Sequence, residues 1–279
     1  MNDRLNEFVQ YIDELGVAAN TKEAYERDIK LLMKELSAEG IHELTDISSA
    51  ELMQYIDGLI EKGRSTSTIS RIVASIRRYF AFTLSKGYTF SDPSELLKAP
   101  KVIRKTPDIL SEKDMKRIIS SIDTDTAKGV RDKALLELIM TTGIGVSELI
   151  ALNTEDVDVA SQTINIGVKT PRRLSLSKKT TDALKQYLGV RQELLGSVRD
   201  GGTFFLSCAG EKMSRQGLWK IIRICGNQAG IKDITPQMLK HSSAVSAMRH
   251  GKDVAAVQKM LGHATKAGIL EYKSLASEQ

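Results

Sequence analysis

Two cysteines, five prolines and one tryptophan are all that the 279 residues contain of these types. Cys208 and Cys225, in a chain without secretory features, exclude a disulfide framework, and no Cys/His spacing suits a metal. The expectation is a cytoplasmic protein with no metal and no cofactor. No run of about 18 apolar residues occurs, so no membrane-spanning helix is expected. The opening MNDRLNEFVQ is acidic and amphipathic and lacks the apolar core of a signal peptide. Internal repeats, low-complexity segments and a glycine-rich phosphate loop are also missing.

What is present is ordinary in amount and uneven in placement. An apolar fraction of 41% and a charged fraction of 27% suit a globular chain, and the length suits two domains. The net charge of +5 is not spread evenly. Residues 1–105 carry 15 Lys and Arg against 16 Asp and Glu, a net of −1, while residues 106–279 carry 25 against 19, a net of +6. Lys62 to Ser91 contains no acid and six cations: Lys62, Arg64, Arg71, Arg77, Arg78 and Lys86. Val159 to Thr181 again contains no acid, with Lys169, Arg172, Arg173, Lys178 and Lys179. Acid-free basic segments of this length suit a phosphate backbone, although solvated basic surfaces look the same by composition.

The first hundred residues read as helices. Asn20-x-x-Glu23 and Ser48-x-x-Glu51 each resemble a capping box, and Ser65 precedes a run whose Ile69, Ile72, Val73, Ile76, Phe80 and Phe82 fall at helical spacing. Arg71, Arg77 and Arg78 lie largely on other faces, as in a helix lying in a DNA groove or in a surface helix with solubilising arginines. Residues 88–108 hold three of the five prolines and a cluster of cations, which reads as extended chain. The expected division is a helical domain over 1–97, a basic linker over 98–108 carrying Lys101, Arg104 and Lys105, and a second domain over 109–279.

In that second domain Ser111-x-x-Asp114 opens a helix, residues 131–142 are apolar nearly all round, and Gly143 stops them. Thr163, Asn165 and Gly167 alternate with Ile164, Ile166 and Val168, then LSLS follows a turn at Thr170-Pro171, which predicts a small β-hairpin with a basic tip. Helices are expected over 178–195 and 214–229, and Thr235-Pro236 is a clean helix start. The fold class is therefore mainly α with a small antiparallel β-hairpin in the C-terminal domain.

Several words of this sequence, in this order, resemble the tyrosine recombinase (phage integrase) family, most of all its Xer-like branch. They are AANTKEAYERDIKLL, TISRIVASIRRYFAF, TTGIGVSELIALNTEDVD, INIGVKTPRRLSL, FFLSCAGEKMSRQGLWKII, TPQMLKHSSAVSAMRHG and VQKMLGHATKAGILEY. The resemblance spans essentially the whole chain. It implies a helical core-binding (SAM-like) domain and a catalytic domain that close on double-stranded DNA as a two-domain clamp. It also implies strand exchange through a phosphotyrosyl intermediate, without metal or high-energy cofactor. By resemblance, Tyr272 stands at the nucleophile, His263 at the second histidine, and Lys169 at the hairpin lysine that acts as general acid. The hairpin is shorter than usual, so Arg172 or Arg173 competes for nearby space.

Three family positions are altered. The first arginine is Gly145, and His-x-x-Arg has become Gln237-x-x-Lys240. Two planar guanidiniums clamp the attacked phosphate in the family; glycine supplies no charge, Lys240 is a mobile ammonium rather than a fork, and Gln237 cannot carry a proton. Seven residues follow Tyr272, fewer than in Xer-like members, which argues against a cyclic tetramer. Two main readings follow. One is a DNA-binding family member with absent or strongly reduced strand cleavage, using Arg64, Arg71, Arg77, Arg78, Lys86, Lys101, Arg104, Lys105, Arg172, Arg173 and Arg215 on DNA. The other is an active recombinase in which Arg172 or Arg173 replaces a missing guanidinium. A third reading, a partner that self-associates or joins another recombinase subunit on DNA, rests on the docking tail, which is short here.

Overall fold

A computed structural model describes residues 2–101, 106–167, 171–262 and 266–277. The chain forms two compact units, residues 1–105 and 106–279.

The first unit is built from four helices, α1 (Asn2–Glu14), α2 (Ala19–Ala38), α3 (Ser49–Glu61) and α4 (Thr66–Ser85). Ser48 and Glu51 form the expected capping box at the head of α3, and Ser65 caps α4 by accepting from Thr68 N–H at 3.2 Å. The Asn20 box is not the start of α2. That helix is capped two residues earlier, at Ala18, whose carbonyl already accepts the amides of Thr21 and Lys22 at 2.8 and 3.0 Å. On α4 the residues Ile69, Ile72, Val73, Ile76, Tyr79, Phe80 and Phe82 are buried, and they meet Phe8 and Ile12 of α1 and Ile29 and Leu32 of α2 in one core. Each such aliphatic or aromatic side chain removed from water contributes roughly 1.5–3 kcal/mol. Residues 88–100 are not free chain. Leu97 is buried in the same core, Ser49 and Ser70 donate to the carbonyls of Pro93 and Pro100, and Arg77 donates to that of Leu97.

The second unit contains α5 (Glu112–Ser120), α6 (Ala127–Thr142), α7 (Val146–Ala151), α8 (Lys178–Leu195), α9 (Arg215–Gln228), α10 (Pro236–Arg249), α11 (Val254–Leu261) and α12 (Lys266–Ser277). It also holds a three-stranded antiparallel sheet of β1 (Val157–Asp158), β2 (Thr163–Ile166) and β3 (Arg172–Ser175), in the order β1-β2-β3. Helix α6 is the centre. Ala134, Leu135, Leu136, Leu138 and Ile139 are all buried, and the helix packs along α8 and α10.

Two details of this unit place the site. Gly143 ends α6 in the left-handed region (φ +61°), and a Cβ there would stand 2.5 Å from Leu261 Cδ2, so only glycine lets the end of α11 approach this turn. The sheet register sets Ile166 opposite Arg172 and Ile164 opposite Leu174; Ile164 and Ile166 face the core while Asn165 is exposed, as the alternation predicts.

Candidate phosphate pocket and nucleophile

Four segments converge after the Gly143 turn: the start of α7, strand β3, the inward side of α10 and the end of α11. Gly145 is the residue before α7, and its N–H donates to Glu148 Oε2 at 2.9 Å. The same carboxylate receives both ends of the Arg172 fork, Nη1 to Oε1 at 2.6 Å and Nη2 to Oε2 at 3.0 Å, while Arg172 Nε donates to the Met260 carbonyl at 2.9 Å. Arg172 is only 8% exposed. Its guanidinium is thus committed on three sides, and its charge is offset by Glu148. Burial pushes the Glu148 carboxyl up, but the hydrogen bonds from Arg172 and Gly145 and the charges of Arg172 and Lys240 bring it below the usual carboxylate range.

Lys240 reaches into this cluster from α10 and donates to the Leu261 carbonyl at 3.3 Å. Burial holds its ammonium below the ordinary lysine value, with Glu148 opposing and Arg172 adding to the effect. Gln237, one turn earlier on α10, is exposed.

Tyr272 lies on α12 in a small apolar cluster with Val245, Val257, Met260, Leu261 and Ile269, and is 7% exposed. Its hydroxyl is hydrogen-bonded to His241 Nδ1 at 2.5 Å, with the ring centroids 5.3 Å apart. Burial first, then the Glu271 charge, hold the phenol above its ordinary value. Burial first, then Lys240, hold His241 below its own. The sequence reading overlooked His241. The signal was its place directly after Lys240 and one helical turn beyond Gln237, on the same face.

The remaining expected site residues fall into three groups. Lys169, His263, Arg104 and Lys105 lie outside the described residues. Arg64, Arg77, Arg78, Lys86 and Lys101 of the first unit are exposed, as are Arg173 and Arg215 of the second. Arg215 Nη2 donates to Ser147 in the first turn of α7 at 2.6 Å, and Arg173 to Thr163 at 3.1 Å. Arg71 and Arg172, also expected among the cations that meet DNA, engage carboxylates. Arg71 pairs with Asp28, which is 2% exposed, and Arg172 with Glu148.

Comparison with known proteins settles what this arrangement belongs to. Residues 108–279 match the sequence model of the Phage integrase family, and residues 5–87 match that of the Phage integrase, N-terminal SAM-like domain. The chain belongs to the phage integrase (tyrosine recombinase) family. Tyrosine recombinase XerC of Roseiflexus sp. (strain RS-1) is 34% identical over 269 residues, spanning 94% of this chain and 86% of the relative. Tyrosine recombinase XerD of Listeria monocytogenes serotype 4b (strain F2365) is 33% identical over 271 residues, 95% of this chain and 91% of the relative. Among solved structures, the chain is similar to the XerH site-specific recombinase bound to palindromic difH substrate in a post-cleavage complex. That likeness has a TM-score of 0.74 and 20% identity, over 92% of this chain and 77% of that one. It is also similar to a lambda integrase dimer bound to a COC' core site, with a TM-score of 0.73 and 17% identity over 100% of this chain and 97% of that one. As a member of this family, and one that resembles its Xer branch, the chain carries an integrase fold with a mainly helical make-up and a small antiparallel sheet.

Proposed function

We propose that the chain is a DNA-binding member of the tyrosine recombinase family whose strand-cleaving step is strongly reduced. The observation that carries this reading is the state of the guanidiniums in the pocket. Position 145 has no side chain, position 240 holds a half-buried ammonium bonded to a carbonyl, and the one described guanidinium within the cluster, Arg172, is bidentate to Glu148. An attacked phosphodiester gains negative charge in its transition state, and each preorganised donor lost costs roughly 10²- to 10³-fold in rate. Arg172 could serve as a substitute only by giving up Glu148, which would leave a partly buried carboxylate without its cation.

DNA binding rests on different residues. Exposed Arg64, Arg77, Arg78, Lys86 and Lys101 on the first unit, and Arg173 and Arg215 on the second, suit the phosphate backbone. The DNA-bound XerH and lambda integrase structures that share the fold support double-stranded DNA as the partner. A DNA partner, free Cys208 and Cys225, and the lack of a membrane-spanning helix among the described residues fit a cytoplasmic setting.

The test is a nicked suicide duplex that traps a covalent adduct. Tight, steeply salt-dependent binding with only trace adduct is the expected result. Abundant adduct that vanishes in Tyr272→Phe would sink this reading in favour of an active recombinase.

A further inference from the structure

The reduced pocket leaves one feature unused: a histidine in hydrogen-bond contact with the reacting atom. We propose that His241 is the proton acceptor of Tyr272, its Nδ1 receiving the phenolic hydrogen as the phenol oxygen attacks phosphorus in whatever cleavage this chain retains. The proposal rests on the reading of Tyr272 as the nucleophile.

Four observations carry it. First, Nδ1 and Oη are in direct hydrogen-bond contact, so no bridging group has to carry the proton between them. Second, the contact is held by packing rather than by a loop. Helices α10 and α12 lie side by side, and Val245 of α10 with Ile269 of α12 belongs to the cluster that buries the Tyr272 ring. Third, Gln237 occupies the same face of α10 one turn earlier and cannot take up a proton at neutral pH, so His241 is the described group on that face that can. Fourth, the protonation states match the roles. A buried phenol held above its ordinary value keeps its hydrogen, and a half-buried imidazole held below its ordinary value is neutral and presents a lone pair. The role requires the tautomer in which the ring carries its own hydrogen on Nε2, so that the phenol donates and Nδ1 accepts. The charged groups that act on His241 are Lys240 on its own helix, Glu271 on α12 and Asp108 ahead of α5. The two acids partly offset Lys240 and favour the imidazolium that the transfer would create.

The step balances. The phenolic O–H bond breaks and its proton passes to Nδ1, giving an imidazolium. Oη forms a bond to phosphorus, the bond from phosphorus to the 5′-oxygen breaks, and that oxygen takes a proton from solvent. On religation the imidazolium returns its proton to the departing phenol oxygen.

The experiment uses the full chain with Gly145→Arg and Lys240→Arg introduced together. This restores the guanidiniums, brings adduct formation into range and leaves Gln237 in place. In that background the rate on a nicked suicide duplex should rise with pH to a plateau, with its midpoint below the ordinary histidine value. Adding His241→Gln, which can still accept a hydrogen bond but not a proton, should lower the rate about 10²- to 10⁴-fold and remove the acid limb. An unchanged rate and pH profile would overturn the proposal. So would a restored background that forms no adduct, since a seated nucleophile with both guanidiniums present would then have no reaction to serve. A second measurement needs no activity. In ¹⁵N-histidine spectra of the unmodified chain, Tyr272→Phe should shift the His241 Nδ1 resonance toward that of an unbonded acceptor, and no shift overturns the contact. Rapid adduct from the unmodified chain would instead contradict the reduced-cleavage reading, while the two pH profiles would still decide the role of His241.

Discussion

Helix α4 and strand β3 each carry a pair of adjacent arginines, yet they put the charge to different uses. On α4 the buried stripe of Ile72, Val73, Ile76 and Phe80 turns Arg77 and Arg78 outward, with Arg77 reaching the Leu97 carbonyl and no described carboxylate. At β3 the same residue type is turned inward: Arg172 sits opposite Ile166 in the sheet register and closes on Glu148. An arginine becomes available to a phosphate only where no carboxylate has already taken its fork. Binding charge and chemical charge are therefore separable in this fold, and keeping one says nothing about the other.

The most direct way to break that contrast is to return the missing forks. Gly145→Arg, Gln237→His and Lys240→Arg introduced together should raise adduct formation by at least about 10³-fold, while DNA affinity changes only a few-fold. Position 145 can take a side chain. Its φ is −72°, and a new Cβ would come within 3.3 Å only of Glu148 Oε2, the end of a flexible side chain. If the triple variant folds and still forms no adduct, the deficit lies outside the pocket.

A second prediction concerns stability. Arg172→Met should destabilise the second unit by about 3 kcal/mol, because Glu148 keeps its charge in a largely enclosed place without a partner. Pairing it with Glu148→Leu should recover much of that loss, as thermal melts of the two single variants and the double variant would show. Additive losses would mean the pair is not coupled.

The same pair gives a pH signature. Glu148 is held below its unfolded value, so its contribution is fully present above that value and is lost as pH falls through the folded one. Acidification from about pH 5 should therefore narrow the stability gap between the native chain and Glu148→Gln. A gap that stays constant down to acid unfolding would show that Glu148 does not titrate differently in the folded state.

The sequence was most informative where one local rule decided the outcome. Ser48 with Glu51, Ser65, Gly143 and Thr235-Pro236 mark helix ends through groups within four residues, and the structure places those ends as the spacing implies. The alternation at 163–166 likewise fixed which residues of β2 face the core. Partnership across the fold was not legible in this way. Nothing near Arg172 in sequence points to Glu148, 24 residues earlier, nor near Arg71 to Asp28, 43 residues earlier. Composition therefore could not separate these two paired arginines from the exposed ones. For His241 the local signal, one turn beyond Gln237, gave only its face of α10; its partner Tyr272 lies 31 residues downstream. At residues 88–100 proline restricts local dihedrals but does not say whether the chain leaves the core or, as Leu97 does, returns to it.

The smallest expected effect draws the contrast within a single helix. Arg78→Ala and Lys86→Ala, at exposed positions, should each weaken DNA binding a few-fold whatever the sequence, and lower the slope of log affinity against log salt by about 1. Thermal stability should stay within about 0.5 kcal/mol of the parent chain. Arg71→Ala, on the same helix, should behave in reverse. It leaves the buried Asp28 carboxylate with Ser75 as its remaining described partner, so the first unit should melt earlier while the salt slope barely moves. A steep loss of salt dependence in Arg71→Ala without a change in melting would mean that Arg71 leaves Asp28 when DNA is present. Then commitment to a carboxylate, read at α4 and at β3 alike, would not decide which arginines are free to bind.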